Sequence, residues 1–307
     1  MRRHIPLLLA IVFFATAFYG WRSLQKEREL DKPAVLLSRL PTRDAVVLSV
    51  DFDALRKGGI LDPLSKSKVP EEPEYQAFVR NSNFDYKRDL DSALAAFAPD
   101  GTFFLIGGRF DWRKLAEYAK LQGGSCYGEL CRMAGSTPNR RISFMPLRQD
   151  LMALAVGGDD LAASRLKQAG PQRAIQIPSQ PVWLSIPSIA LKSGNKLPAG
   201  TRLFTSSMAD AENVTLTLGP EGQTLEARLE ADCRSTREAE ALTAQLKKVT
   251  AMLSGVPGAS SGESKDKDSS GDLREVLARG AFRRAGQKVF GRWTLQKSFM
   301  ENLAGGL

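Results

Sequence analysis

Asp51 and Asp53 form an Asp-x-Asp pair at the end of an apolar run, AVVLSVDF. Carboxylates so spaced could hold a hard cation. Asp53 serves more simply as the N-cap of a following turn, and no second ligand cluster accompanies the pair, so no metal is expected. Ser193-Gly194-Asn195-Lys196 has the Ser-x-x-K spacing of penicillin-recognising enzymes. That chemistry needs the serine at a helix start with the lysine one turn on. Here Leu197-Pro198 follows, which is loop chemistry, and the companion motifs are absent. Gly280 to Lys288, GAFRRAGQK, imitates a phosphate loop, but its lysine does not directly follow the second glycine and no Ser or Thr comes after it. Gly107-Gly108 reads as a bulge or a close backbone contact. The single histidine is His4, near the N-terminus, so a His-dependent triad is excluded from the rest of the chain. Ser-Lys, carboxylate and tyrosine chemistry stay open. No cofactor motif is present.

Cys126 and Cys131 bracket Tyr-Gly-Glu-Leu, with Cys233 left over. In an oxidising compartment that spacing could close a short hairpin disulfide; three buried thiols are the alternative. A zinc site would need a second cysteine pair or histidines, and there are none.

Arg274, Arg279, Arg283, Arg284, Lys288, Arg292 and Lys297 make the densest basic run, with Phe282, Phe290 and Trp293 interleaved. In a nucleic-acid protein this would be a stacking platform. Outside the cytoplasm an anionic lipid or glycan is the more natural partner. The structural reading is a hairpin with aromatics inward and arginines outward. The formal net charge of +9 is spread along the chain, as on an ordinary solvated surface.

What positions these residues begins with Ile5 to Trp21, IPLLLAIVFFATAFYGW, seventeen residues without a charge. As a helix it would be roughly 25 Å long, enough to cross a thin bilayer. Tyr19 and Trp21 sit at its far end, where an interfacial aromatic belt belongs. Its rival is a cleavable signal peptide, with Ala15-Thr16-Ala17 as the cleavage site. The apolar run continues through Phe18 and Tyr19, which favours an uncleaved anchor. Residues 1–4 are then a cytoplasmic tail and 22–33 a solvated stalk, and the globular part is delivered outside the cytoplasm, to the periplasmic side. Arg22, Lys26, Arg28 and Lys32 follow the segment closely and oppose this orientation; the signal-like opening favours it.

Hydrophobic content of 43% and charged content of 25% suit an ordinary globular protein. The pattern predicts an α+β fold of mostly antiparallel sheets with flanking helices. Ala45 to Phe52 and Thr102 to Phe110 read as strands, the second apolar on both faces and so central. Asp89 to Ala98 reads as a short amphipathic helix, and Trp112 to Gln122 as a helix capped by Asp111. Residues 126–133, 141–147 and 151–157 read as short strands, and a helix capped by Asp159 runs to about Gln168. Val182 to Leu191 is an apolar strand in which Pro187 marks an edge or bulge. Asn213 to Asp232 is a hairpin with one wet face, carrying Glu226, Arg228 and Glu230. A helix with a Ser235–Glu238 capping box follows. Residues 254–272, rich in Ser, Gly and charge, read as a mobile loop. Phe282 to Leu295 is a second hairpin.

Two stretches echo each other. TFFLIGGRF runs into DWRKLAEYAKLQ, and LEARLEAD into STREAEALTAQLKKV. Leu40-Pro41 and Leu197-Pro198 each precede a strand. An internal duplication fits, with halves at 34–170 and 175–307. The opening LPTRDAVVLSVDFDALRKGGIL together with GRFDWRKLAEYA resembles uncharacterised bacterial proteins that are membrane-anchored, extracytoplasmic and α+β. The resemblance implies location and class, and carries no activity.

The expectation is therefore a single-pass membrane protein acting as a binding or structural module of the cell envelope, held in the lipid bilayer through residues 5–21 and meeting an envelope protein partner. Two alternatives stand beside it. One is an envelope hydrolase using carboxylate or Ser-Lys chemistry; the other is a basic module for anionic polymer or lipid. Nucleic acid is not an expected partner.

Overall fold

The computed structural model describes residues 32–61, 73–135, 137, 139–193, 207–222, 224–254 and 276–295. The expected anchor 5–21, most of the stalk, the 254–272 loop beyond Ser254, and Gly194 to Lys196 lie outside the described residues. Among those described, no helix is long and apolar enough to cross a membrane.

The described strands form one antiparallel sheet of twelve. They are β1 (Val46–Asp51), β2 (Leu90–Ala98), β3 (Gly101–Gly108), β4 (Ser125–Tyr127), β5 (Leu130–Ala134), β6 (Arg141–Arg148), β7 (Leu151–Gly157), β8 (Val182–Pro187), β9 (Asn213–Glu221), β10 (Thr224–Asp232), β11 (Ala281–Ala285) and β12 (Lys288–Leu295). Their spatial order is β11-β12-β10-β9-β8-β1-β2-β3-β7-β6-β5-β4. The helices are α1 (Pro33–Arg39), α2 (Phe52–Lys57), α3 (Pro73–Ser82), α4 (Tyr86–Asp89), α5 (Trp112–Leu121), α6 (Ser188–Ser193) and α7 (Thr236–Ser254), with a 3₁₀ turn at Ala162–Lys167. The fold is α+β.

β1 and β8 pair at the centre of the sheet, Val47 opposite Ser185 and Ser49 opposite Trp183. From that seam the connections run alike in both directions. β1 enters α2 as β8 enters α6; the hairpin β2–β3 leads to α5 as β9–β10 leads to α7; and β7 returns to β3 as β12 returns to β10.

Alternation along each strand sorts the residues onto two faces. On one face Val47, Ala96, Phe103, Leu105, Ala153 and Trp183 are buried with Leu37 and Leu40 of the α1 region and Ala163 and Leu166 of the 3₁₀ turn. On the other, Ile186, Val214, Leu229, Ala231 and Val289 pack on Leu242 and Leu246 of α7. Also on that face, Phe144 and Met152 pack on Leu115 and Ala119 of α5.

Four sequence expectations need correction. The stretch after Asp159 is a 3₁₀ turn, Ala162–Lys167, with Leu161 at its N-cap and no side-chain cap bond, and not a helix capped by Asp159. Residues 90–98 are strand, not helix. Their alanines permit helix, but Leu94, Ala96 and Ala98 are buried at period two while Phe97 is exposed, and pairing with β1 and β3 on both sides outweighs propensity. Pro187 marks no edge. It is the last residue of β8, a central strand, where a missing N–H costs least, and α6 starts at the next residue. Residues 126–133 are two strands, with Gly128 at φ 56° making the turn between them. Helix α3 was not legible at all; the Pro-broken run before it reads as loop.

Gly107 and Gly108 sit beside an irregularity in the β2–β3 register between Leu90 and Ser92. A Cβ on Gly108 would stand 2.4 Å from the Asp89 carbonyl oxygen, and one on Gly107 2.5 Å from Ser92 Oγ. Gly108 marks a close backbone approach, whereas Gly107 faces a side chain.

Candidate functional site

The face that α1 and the 3₁₀ turn seal over the first half changes character across the seam. One cross-strand row runs Ala96, Val47, Ser185, Thr215, Glu230, Phe290, Arg283. Its first members are buried beneath those elements. Its last members line an open groove of about 1270 Å³. The floor is Thr215 and Thr217 of β9, Glu226, Arg228 and Glu230 of β10, and Phe290 and Arg292 of β12. One wall is the connector Ala174 to Gln180; Ala281 and Arg283 of the edge strand β11 are the other.

Directly paired residues share a face, and here Arg228 is directly opposite Arg292. Two like charges so placed repel. The carboxylate of Glu226, 4% exposed, answers both: it ion-pairs with Arg228 through one oxygen and with Arg292 through the other. Burial opposes its ionisation, but Arg228 and Arg292 outweigh that and hold the carboxyl below the usual range. Arg228 also reaches Glu221 at 2.7 Å. At the other end of the floor, Lys288 bridges Glu230 and Asp232, the latter at 3.1 Å, and its ammonium is raised chiefly by the Glu230 hydrogen bond. Arg283 lies on the Phe290 ring, 4.5 Å from its centroid. Among the described residues it has no carboxylate partner.

Arg173 closes the groove at the seam. Its Nε donates to the Thr42 carbonyl (3.1 Å), Nη1 to Asn213 Oδ1 (3.0 Å), and Nη2 to Ser185 Oγ (3.1 Å) and the Ser185 carbonyl (3.2 Å). All these acceptors are neutral, and burial lowers the guanidinium pKa.

The residues singled out in the sequence are scattered. The N-cap of α2 is Asp51, not Asp53 as the sequence suggested: Asp51 Oδ1 accepts from the Ala54 N–H at 2.8 Å, while Asp53 lies in the first turn and ion-pairs with Lys57 at 2.6 Å. Neither lines the groove, and among the described residues no metal-holding cluster exists. Ser193 ends α6 and donates to the Ala190 carbonyl at 2.9 Å. Of the basic run, Arg283 and Arg292 line the groove and Lys288 lies on the same face, while Arg284 points to the other face and Arg279 precedes the strand. Phe282 and Trp293 are packed inward, 5.4 Å apart and edge-on. Cys126 and Cys131 are directly opposite in the β4–β5 pair and are joined by a disulfide; Cys233 is a buried free thiol. The wet face of β10 was visible in the sequence. Arg173 and the wall it anchors were not, because its contacts join separate segments, the one to Thr42 across 131 residues of chain and the one to Asn213 across 40.

The class is thus an α+β protein built on one wide antiparallel sheet with a polar groove on its second half. No family model and no curated protein matches the chain. Among solved structures it is similar to TP0453. Crystal form III gives a TM-score of 0.47 at 10% identity, covering 88% of this chain and 98% of that one. Crystal form I gives 0.46 at 12%, covering 87% and 94%. Likeness at this level carries no functional argument.

Proposed function

We propose that the chain is a membrane-anchored, extracytoplasmic binding module of the cell envelope, and that the groove on the second half is where it binds. The observation that carries this is the groove floor itself. A sheet face whose counterpart in the first half is sealed by apolar elements is here left open among the described residues and carries fixed charges, hydroxyls and the Phe290 ring. A volume of about 1270 Å³ exceeds the usual small-molecule pocket and suits an extended ligand. The Cys126–Cys131 disulfide supports an oxidising compartment, and Ile5 to Trp21 supplies the anchor. The repeated order of connections supports two halves descended from one duplicated α+β unit.

The hydrolase alternative draws less support. General acid catalysis needs a carboxyl held protonated, whereas Glu226, Glu230 and Asp232 each have a cationic partner. The basic-module alternative draws on Arg283 and Arg292, but Glu226, Glu230 and Asp232 share their face.

Photo-crosslinking in intact cells tests the reading. A crosslinker replacing Thr217 on the groove floor should give discrete adducts with an envelope component. One replacing exposed Lys248 on α7 should not. Equal labelling from both positions, or none from Thr217, would overturn it.

A further inference from the structure

The wall and the floor of the groove offer different kinds of contact, and together they specify a ligand. Along the wall, Ile175 and Ile177 pack against the core under the first half, while Ala174 and Gln176 are exposed. Arg173, in step with the isoleucines, is anchored inward as described. Period-two alternation is the habit of a strand. Yet among the described residues the backbone groups of residues 174–180, where Pro178 has no N–H to give, make no backbone–backbone hydrogen bond; the neighbouring pairings are Thr42 N–H to the Pro171 carbonyl and Asp51 N–H to the Pro181 carbonyl. The wall is thus an extended segment pinned at both ends, with no ladder partner among the described residues. Such an edge is a template for another extended chain. The isoleucines and Arg173 fix it in place, so little ordering entropy opposes the addition of a strand.

The floor adds a sign. Arg228 and Arg292 share the one buried carboxylate of Glu226, and Arg283, diagonal to Arg292 across β11 and β12, is stacked on Phe290 without an acid. Glu221 at the rim neutralises one of these cations. Three guanidiniums against these two carboxylates leave Arg283 without an acid among the described residues, although Lys288 with Glu230 and Asp232 balances the floor as a whole. A stacked guanidinium is already oriented and presents its donor edge to a carboxylate.

We infer that the groove takes an extended polypeptide segment of a partner protein, added as a strand along residues 174–180, with an acidic side chain received by Arg283 and Arg292. This rests on the binding-module reading above and names its partner class. Backbone ladder bonds supply the affinity that any sequence could draw on, and the guanidinium pair selects the acidic one.

The probe is a fluorescent alternating Glu-Thr peptide titrated onto the full-length protein in detergent micelles, followed by anisotropy and by amide hydrogen exchange. The account predicts binding, slowed exchange at residues 174–180, and an affinity about tenfold weaker for R283A. The matched Gln-Thr peptide should bind more weakly than Glu-Thr by a similar factor. Arg283 is exposed and makes no ion pair among the described residues, so R283A keeps the fold; its unfolding midpoint checks this. Polygalacturonate is the second probe. If it binds as tightly as the peptide with no exchange protection of the wall, the site reads anionic polymer and strand addition is wrong. If the Glu-Thr peptide fails to bind, the inference falls. Groove-specific adducts from Thr217 in cells would still stand in that case, which separates failure of the inference from failure of the binding-module reading.

Discussion

Arg228 and Arg292 face each other directly across β10 and β12, and the buried carboxylate of Glu226 joins them. Glu226 is therefore the residue on which the groove floor depends. E226Q would leave Arg292 without a carboxylate among the described residues and Arg228 with Glu221 alone, and cost about 2 kcal/mol of unfolding free energy, read from urea denaturation at neutral pH. The carboxyl pKa is depressed in the folded state, below its ordinary value of 4.5. Its stabilisation is thus complete above that value and is lost as pH falls through it toward the folded pKa. The stability difference between the wild type and E226Q should shrink in that acid window. A difference that stayed constant would show that the ion pairs do not carry it.

Gly108 tests the close approach beside the β2–β3 irregularity. An added methyl would meet the Asp89 carbonyl at 2.4 Å, and backbone cannot step aside as a flexible side chain does. G108A should destabilise by about 2–3 kcal/mol. G123A, at a turn where no atom lies within 4 Å of the new Cβ, should cost less and act only through its positive φ of 74°. Paired thermal melts of the two variants decide this.

These two sites also mark where sequence reasoning reached and where it stopped. The wet face of β10 and the Ser235–Glu238 capping box were legible, because each is decided within a few residues: the Ser235 hydroxyl accepts from the Glu238 N–H at 3.2 Å. The glycine pair was legible as composition, while its partners Asp89 and Ser92 lie across the β2–β3 hairpin. The strand at 90–98 was misread because alanine favours helix locally, and only its neighbours β1 and β3 overrule that. Of the site, the floor was visible as alternation and the basic run as composition. That Arg284 leaves the set while Arg173 joins it depends on which face each strand turns to the groove and on contacts between distant segments, which no window of sequence contains.

Arg173 tests how the wall is held. Its guanidinium serves Thr42, Ser185 and Asn213 at once, joining the α1–β1 loop to β8 and β9. R173M would remove the donors that serve the Thr42 and Ser185 carbonyls and leave Asn213 Oδ1 with the Ser185 hydroxyl alone, and cost about 3 kcal/mol. R173K, with one ammonium in place of a planar fork, should recover less than half of that. Hydrogen exchange should place the loosening at residues 171–181 and at the ends of β8 and β9. Full rescue by lysine would mean that charge alone matters there.

The cysteines give a chemical prediction. The disulfide spans a sequence separation of five, so its loop-closure contribution is small, about 2 kcal/mol for C126S/C131S by the chain-entropy estimate. The loss should be local to β4 and β5 at the sheet edge. Burial, aided by nearby acidic groups, raises the Cys233 thiol pKa, so it should resist alkylation at neutral pH until the protein unfolds. Rapid alkylation of the native protein would contradict the burial of that thiol.

The central claim is an anchored module whose groove faces away from the cytoplasm. Fractionation of cells expressing the full-length chain, with intact mass and protease access from the outer side of spheroplasts, tests it most directly. The account predicts a membrane-bound chain that keeps residues 1–21, carries the Cys126–Cys131 disulfide and is cut by external protease. A membrane-bound chain that is protected from the outside, with both thiols reduced, would place the groove in the cytoplasm and contradict it.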